Sequence, residues 1–368
     1  MENASPHVRN RRPRWRRPLR LTVGLLVTGA VTMTAVTAYA GTVQRPPHRS
    51  ANPGGKATAE GNKATAEGNG GVAFNNAYRM VDPSYNPHRR MPPISFLTVD
   101  DPADPTFNQL LGINDRGTAA GYFGSGADAK HPNKGYLVGP DYDRDDFTNQ
   151  NFPGSVQTQV IGINNAGTTV GFFVNATKAN LGFVRWRGAF LAVANPATTA
   201  KPAVNQLLGV NNNGVAAGFY NDAAGASHGY LYWIQKRSFV PVRVPVKADS
   251  VVASGINDRG DVSGFYTLGK RTSAFVLTRH SFISINLGGK TNTQALGLNN
   301  KDQVVGSFVD AHGKMHGFVW RNWNLTQVDN PNGSGGTLVN GIDNRNQIVG
   351  FFVDAKGNTN GFVARLRS

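Results

Sequence analysis

The feature that most constrains the fold is a motif of Gly, an aliphatic residue and Asn or Asp, which recurs six times. Its first glycines are spaced by 50, 47, 46, 42 and 44 residues, at Gly112, Gly162, Gly209, Gly255, Gly297 and Gly341. Nine residues after each of these stands another glycine, at Gly121, Gly171, Gly218, Gly264, Gly306 and Gly350. A period in the forties is typical of stacked or circular repeats. Residues 92–368 therefore consist of six copies of one structural unit.

Each unit predicts four short β-strands. Polar turns such as NDRG, NNAG and NNNG separate two short apolar segments, a pattern typical of β-hairpins. A dipeptide of a small residue and an aromatic, and then a stretch such as AFLAV or SFVPV, supply two more strands. Four-stranded units of this length, repeated in a circle, are blades of a β-propeller. The sequence therefore predicts an all-β, six-bladed β-propeller over residues 92–368.

The two ends of the repeat region predict that the propeller closes on itself. The last unit stops after its third strand, in GFVARLRS. A segment that precedes the first motif, SFLTVDDP (Ser95–Pro102), is similar to the fourth-strand segment AFLAVANP at 189–196. Pairing of this N-terminal strand with the C-terminal three strands would leave no open edge between the first and last blades.

The N-terminus predicts export. Residues 1–20 contain seven Arg, and residues 21–40 carry no charge and end in Ala38-Tyr39-Ala40, a small-x-small cleavage pattern. Residues 1–40 are thus a signal peptide or a membrane anchor; cleavage is favoured, and the choice between the Sec and Tat routes stays open. Residues 41–91, which contain KATAEGN twice, predict a flexible low-complexity linker. Either way the repeats would lie outside the cell, secreted or anchored at its surface.

Composition excludes several kinds of chemistry. The chain has no cysteine, so it can form no disulfide, zinc-thiolate site or cysteine nucleophile. Its net charge is +16, but residues 92–368 hold 24 Lys and Arg against 18 acids, a net of +6. Because the remaining excess lies mainly in the targeting segment, we do not expect nucleic acid as a partner.

The repeats resemble the HAF family of probable extracellular repeat proteins. INLGGKTNTQALGLNNKDQVVG (285–306) resembles that family's LGG-containing core, and HGFVW (316–320) and HGYLYW (228–233) resemble its His-Ala-Phe segment. Gly replaces the middle Ala in five of the six units, His is kept in two, and LGG occurs once. The resemblance implies export and a propeller-like fold. It supplies no catalytic residue.

The residues at the start of the first strand of each unit are candidates for ligand binding. They would form a polar, uncharged collar at one mouth of the central channel, made of Gln109, Gln159, Gln206, Gln294, Asn108, Asn205, Thr158 and Thr293. Amides and hydroxyls both donate and accept hydrogen bonds, so such a collar suits a polyhydroxylated ligand. The alternative is that these groups satisfy the backbone at the strand ends.

Carboxylates that could perform glycoside hydrolysis are not paired in the sequence. The reaction needs two at a set separation, whereas Asp100, Asp101, Asp104 and Asp249 belong to the connections of only two units. We therefore predict no catalytic residue and a non-catalytic binding or scaffold module for cell-wall polysaccharide or a protein. The alternative is a secreted polysaccharide hydrolase or lyase that acts at the channel mouth.

Metal binding has two weak candidates. In PDYDRDDF, Asp141, Asp143 and Asp145 alternate and could wrap a calcium ion, although the glycine and distal Glu of an EF-type loop are absent. His312 and His316 could hold a metal with Asp310. Solvated loop residues are the simpler interpretation of both, so we predict a monomer that needs no cofactor.

Overall fold

The computed structural model describes residues 84–85, 95–285 and 292–366. The predicted signal or anchor segment, residues 1–40, lies outside the described residues. So does the predicted linker, residues 41–91, apart from the two-residue strand Ser84–Tyr85, which runs parallel to Asn324–Val328. None of the helices in the described part is long and apolar enough to cross a membrane.

The predicted all-β, six-bladed β-propeller is confirmed. Each blade is a four-stranded antiparallel sheet. Blade one consists of Asn108–Ile113, Ala119–Phe123, Lys134–Val138 and Phe147–Asn149. Blade two consists of Gln157–Ile163, Thr169–Val174, Asn180–Trp186 and Ala189–Val193. Blade three consists of Asn205–Val210, Val215–Asn221, Ser227–Trp233 and Ser238–Pro241.

The remaining three blades have the same strand order. Blade four consists of Ser250–Ile256, Val262–Leu268, Arg271–Leu277 and Phe282–Ile285. Blade five consists of Thr293–Leu298, Val304–Val309, Met315–Arg321 and Asn324–Val328. Blade six consists of Gly336–Ile342, Gln347–Val353, Thr359–Arg365 and the N-terminal strand Phe96–Thr98. The first strand of each blade is the inner one, since neighbouring first strands contact each other around the whole ring.

The N-terminal strand closes the ring as the sequence predicts. Phe96 pairs with Ala364 and Thr98 with Phe362 in an antiparallel register. The ring centroids of Phe96 and Phe362 are 5.1 Å apart, and the Val99 amide donates to the Gly361 carbonyl at 2.9 Å. The two ends of the repeat region therefore share one sheet, and blade six has four strands like the other blades.

A β-bulge in every inner strand explains the invariant nine-residue spacing of the glycines. Each bulge lies next to the first glycine of the motif, as between Ala295 and Gly297 in blade five. It turns one inner-strand carbonyl toward the second strand, where only a glycine leaves room for it. The facing pairs are Gln109 and Gly121, Gln159 and Gly171, Gln206 and Gly218, Val252 and Gly264, Gln294 and Gly306, and Leu338 and Gly350.

The first glycines of the motif lie where neighbouring inner strands approach most closely. A β-carbon on Gly209 would stand 2.8 Å from the Ser254 carbonyl oxygen and 3.0 Å from the Gly255 Cα. A β-carbon on Gly341 would stand 2.9 Å from the Leu111 carbonyl oxygen in blade one. The six inner strands thus crowd around one narrow axis, and the apolar core fills the spaces between facing blades.

Candidate functional site

The turns that follow the inner strands surround a polar depression on the propeller axis. Its volume is about 70 Å³, which is room for several water molecules. Six apolar side chains form its floor: Ile113, Ile163, Val210, Ile256, Leu298 and Ile342. Two rings of Asn and Asp, each with one residue from every blade, form its wall. We call this end of the propeller the turn end, and the opposite end, where the chain crosses from one blade to the next, the entry end.

The lower ring caps the turns and links the blades. Its members are Asn114, Asn164, Asn211, Asn257, Asn299 and Asp343. In blade one the Asn114 Oδ1 accepts the backbone amides of Arg116 and Thr118, and the other blades repeat this pattern. These contacts cap the turns that follow the inner strands, as Asn and Asp side chains commonly do. In addition, the Nδ2 of each of the five Asn donates to a carbonyl of the next blade, at 2.9–3.3 Å.

The lower ring is broken at Asp343. Its Oδ1 accepts the Arg345 and Gln347 amides, as an asparagine would. In the five other blades, the equivalent atom is an amide nitrogen that donates to a carbonyl of the next blade. At Asp343 this atom is the oxygen Oδ2, which in the carboxylate form cannot donate to the Asn114 carbonyl. This Oδ2 is buried and has no hydrogen-bond partner among the described residues. Burial raises the pKa of Asp343, and Asp115 in the next blade raises it further.

The upper ring is complete. Its members are Asp115, Asn165, Asn212, Asp258, Asn300 and Asn344. The backbone amide of each member donates to the Oδ1 of the member in the next blade, and all six distances lie between 2.8 and 2.9 Å. Asn344 donates to Asp115 and so joins blade six to blade one.

The two acids of the upper ring lie in blades one and four, on opposite sides of the axis. The Oδ2 of Asp115 accepts the side-chain amides of Asn165 and Asn344, at 2.7 and 2.9 Å. The Oδ2 of Asp258 likewise accepts the side-chain amides of Asn212 and Asn300. Although burial acts in the opposite direction, the hydrogen bonds from Asn165 and Asn344 lower the pKa of Asp115. Asp115 is therefore ionised, and it lies across the blade boundary from Asp343.

The predicted glutamine collar lies at the entry end of the inner strands, and most of it is buried. Gln109, Gln159 and Gln206 are 1–5% exposed, and Gln294 is half-buried. The Gln109 Oε1 accepts the Tyr122 hydroxyl at 3.0 Å, and the Gln159 Nε2 donates to Asn133 at 2.8 Å. The Oε1 atoms of Gln159 and Gln206 find no partner within the described ranges. A ligand at this collar stays a prediction.

The other collar residues hold the connections between blades. The Asn108 Oδ1 accepts the Asp101 amide, and the Asn205 Oδ1 accepts the Asn195 amide. The Thr158 Oγ1 accepts the Phe152 amide, and Thr293 is buried. Each hydrogen bond joins the start of an inner strand to the incoming crossover. Asn108, Thr158 and Asn205 thus hold the ends of three crossovers, whereas the Thr293 Oγ1 has no partner among the described residues.

The fold brings some of the predicted acidic and metal candidates together and separates others. Asp100 accepts the Gly361 amide in blade six, and burial raises its pKa to about 6. Asp101 and Asp104 share one turn of the same crossover, where the Asp104 amide donates to the Asp101 carbonyl, whereas Asp249 lies beside blade four. Asp141, Asp143 and Asp145 are exposed in the turn-end loop of blade one. Over residues 95–285 and 292–366, no three His, Asp or Glu side chains form a group that could hold a metal ion. Calcium binding at Asp141, Asp143 and Asp145 stays a prediction.

A histidine lies between two carboxylates at the entry end. The His316 Nδ1 lies 2.9 Å from Asp329, and its Nε2 lies 3.2 Å from Asp310. Its ring stacks on Phe308 at a centroid distance of 5.2 Å. Asp329 first, and then Asp310, raise the pKa of His316 above its ordinary value of 6.5. Sequence reasoning proposed His316 with Asp310, but Asp329, which follows the outer strand, could be placed only by the fold.

We expect His316→Asn to remove part of the pH dependence of stability. A histidine with a raised pKa stabilises the fold fully below pH 6.5, and this contribution is lost as the pH rises through the raised value. Because the carboxylates are partly exposed, the loss is at most about 1 kcal/mol. Asparagine fits the site, since Asn360 occupies the same position in blade six. Urea unfolding at pH 6 and pH 9 measures the effect, and His228→Asn, at a more exposed single pair, is the control.

We expect Asp343→Asn to stabilise the protein by about 1–2 kcal/mol at pH 8, because it supplies the missing amide donor to the Asn114 carbonyl. A carboxyl with a raised pKa favours the fold at low pH, and this contribution is lost as the pH rises through the raised value. The gain over wild type should therefore grow between pH 4 and pH 8 in urea titrations. Asn299→Asp, the reverse change in blade five, should lower stability at pH 8. Equal stability of Asp343→Asn and wild type at pH 8 would contradict the broken-ring interpretation.

Comparisons with known proteins give only distant structural similarity. No family model and no curated protein matches the chain, so the resemblance to HAF repeats stays a prediction. A prolyl endopeptidase structure is 11% identical with a TM-score of 0.42, over 71% of this chain and 40% of that one. YCF48 bound to a D1 peptide gives 10% identity and a TM-score of 0.39, over 77% and 99%. AofleA from Arthrobotrys oligospora gives 8% identity and a TM-score of 0.42, over 79% and 87%.

Proposed function

We propose that the protein is an exported, non-catalytic propeller that binds cell-wall polysaccharide or a protein partner at the cell surface. The observation that carries this proposal is how the polar groups nearest the axis are hydrogen-bonded and buried. The two Asn and Asp rings bond mainly to each other and to the turns, and the entry collar is largely buried. The polar groups nearest the axis therefore maintain the ring, and the exposed outer surface remains for a partner.

The charge of the exported chain favours an anionic partner. After removal of residues 1–40, the chain holds 31 Lys and Arg against 21 Asp and Glu, a net of +10. A net positive surface attracts anionic polymers, and salt screens this attraction over about 8 Å at physiological ionic strength. Anionic wall polymers therefore fit the proposal better than neutral ones.

Retention on isolated cell walls tests the proposal. The full-length protein should sediment with walls at low salt and be released as sodium chloride is raised toward 1 M. A glycan array at low salt should then identify the retained polymers. Retention that is insensitive to salt would refute the electrostatic part, and absence of binding to walls, glycans and surface proteins would refute the binding function.

A hydrolase or lyase at the channel mouth is the second candidate, and one observation favours it. Asp343 has a raised pKa and Asp115 a lowered one, and they lie on either side of the boundary between blades six and one. Two neighbouring carboxyls whose pKa values are separated in this way can serve as acid and base. However, Asp343 is 3% exposed and its Oδ2 is buried, which keeps this oxygen from a substrate.

Release of reducing or unsaturated ends from wall polysaccharides distinguishes the two candidates. Binding without release by wild type supports the non-catalytic function. Release that is lost in both Asp343→Asn and Asp115→Asn would establish the enzyme instead. Since Asp343→Asn should raise stability, its loss of activity could not be attributed to unfolding.

A further inference from the structure

The outer edge of the turn end carries positive charge on five consecutive blades. In blades two to six, the end of the third strand and the residues after it contain no Asp or Glu; these segments are residues 184–190, 232–239, 277–282, 320–325 and 364–366. We call these five segments the cationic rim. The exposed Lys and Arg residues of the rim are Arg187, Lys236, Arg237, Arg279, Arg321 and Arg365.

The rim lies at the same end of the propeller as the axial depression. In blade three the Ile234 amide donates to the Gly214 carbonyl of the inner turn, and in blade six the Leu366 amide donates to the Asn346 carbonyl. Blade one interrupts the rim, because its corresponding loop presents the exposed acids Asp141, Asp143 and Asp145. The positive charge therefore forms an arc with two ends.

Exposed tryptophans alternate with the rim cations. Trp186, Trp233 and Trp323 are 37–38% exposed. The Arg187 guanidinium lies 4.7 Å from the Trp186 ring centroid, and the Lys236 ammonium lies 4.9 Å from that of Trp233. Trp323 packs edge-on against Trp320 at 5.6 Å. Blades two and three thus present an indole and a cation side by side, and blade five adds a third exposed indole.

The hairpin turns hold these side chains in place. Arg187 has φ 51° and Trp323 has φ 66°, in the left-handed region that bulky residues rarely adopt. Such strain persists only where the surrounding structure maintains it, and it is often associated with recognition. Each indole is more than half-buried but keeps an exposed part that a ligand can contact, and we call the three indoles the platforms.

We infer that the cationic rim binds an extended anionic glycan, with the Lys and Arg residues on its carboxylates or phosphates and the indoles under its sugar rings. This inference rests on the proposed function, which places the domain outside the cell. An arc of Lys and Arg over five blades fits a polymer better than a small anion, because successive anionic groups of a polymer can contact successive cations of the rim.

Binding of full-length protein to polygalacturonate tests the inference, with dextran as the neutral glycan. The rim variant combines Arg187→Asn, Lys236→Gln and Arg321→Gln; asparagine at 187 tolerates the left-handed backbone. The matched control, Lys130→Gln with Lys314→Gln and Lys356→Gln, removes the same charge from exposed positions at the entry end. We expect the rim variant to bind roughly tenfold more weakly, for three exposed charge contacts, and the control to bind like wild type.

A second variant tests the platforms. Trp186→Ala with Trp233→Ala should weaken polygalacturonate binding at high salt, where the contribution of charge is screened, and should abolish most of the change in tryptophan fluorescence. Circular dichroism verifies that both variants fold.

Three outcomes would overturn the inference. If the rim and control variants bound polygalacturonate equally weakly, binding would still be electrostatic. It would then depend on the net charge of the protein and not on the cationic rim. Tighter binding to phosphatidylglycerol vesicles or single-stranded DNA than to polygalacturonate would replace the glycan with another partner. Failure of wild type to bind any of the polyanions would refute both the rim and the electrostatic part of the proposed function.

Discussion

Alanine in place of Gly306 is expected to prevent the propeller from folding, or to destabilise it by more than about 3 kcal/mol. The added β-carbon would overlap the Gln294 carbonyl oxygen, which the bulge of blade five turns toward this position. It would also stand 2.8 Å from the Phe318 ring. Both neighbours are held inside the blade, so the backbone itself would have to move.

Gly139→Ala is the matched control. A β-carbon there would lie 3.5 Å from Asp146, an ordinary contact distance, and we expect a stability within about 0.5 kcal/mol of wild type. Thermal unfolding followed by circular dichroism compares the three proteins. A Gly306→Ala protein with wild-type stability would contradict the steric explanation of the nine-residue spacing.

The second large effect concerns closure of the ring. Val99→Asp should cost roughly 3–5 kcal/mol, because it places an unpaired carboxylate in the apolar core. Val99 is 2% exposed and packs with Leu110, Tyr136 and Val363, just after the closing strand. Since this segment joins blade six to blade one, the loss should also open the ring to proteolysis.

Leu97→Asp is the control that distinguishes the loss of ring closure from the mere introduction of a negative charge. Leu97 belongs to the closing strand itself but is 49% exposed, so its substitution should leave stability nearly unchanged. Limited proteolysis and urea unfolding report both effects. If Val99→Asp unfolded at the same urea concentration as Leu97→Asp, the N-terminal strand would not be needed for a stable ring.

The sequence was sufficient to predict the fold because local signals repeat. The turn asparagines, such as Asn114, cap turns through contacts two and four residues away, so their role follows from spacing alone. The closing strand was recognised because SFLTVDDP resembles the outer strand of blade two. Repetition thus compensated for the weakness of each individual signal.

The candidate site was less predictable. The sequence placed polar side chains such as Gln109 and Gln206 at a channel mouth, whereas the structure buries both. An alternating pattern identifies the two faces of a strand but does not say how tightly six blades pack around the axis. The rings of the turn end, in contrast, depend on contacts between blades, such as that of Asn344 with Asp115, which are 229 residues apart.

The sequence by itself determined the number of blades, the strands within each and the means of closure, since these depend on contacts within one repeat or on the similarity between repeats. Only the tertiary structure decided which polar residues meet at the axis, that Asp343 breaks a ring of amides, and that the tryptophans and cations of five blades share one rim. These arrangements arise when equivalent positions, more than 40 residues apart in the chain, are brought side by side by the closing of the circle.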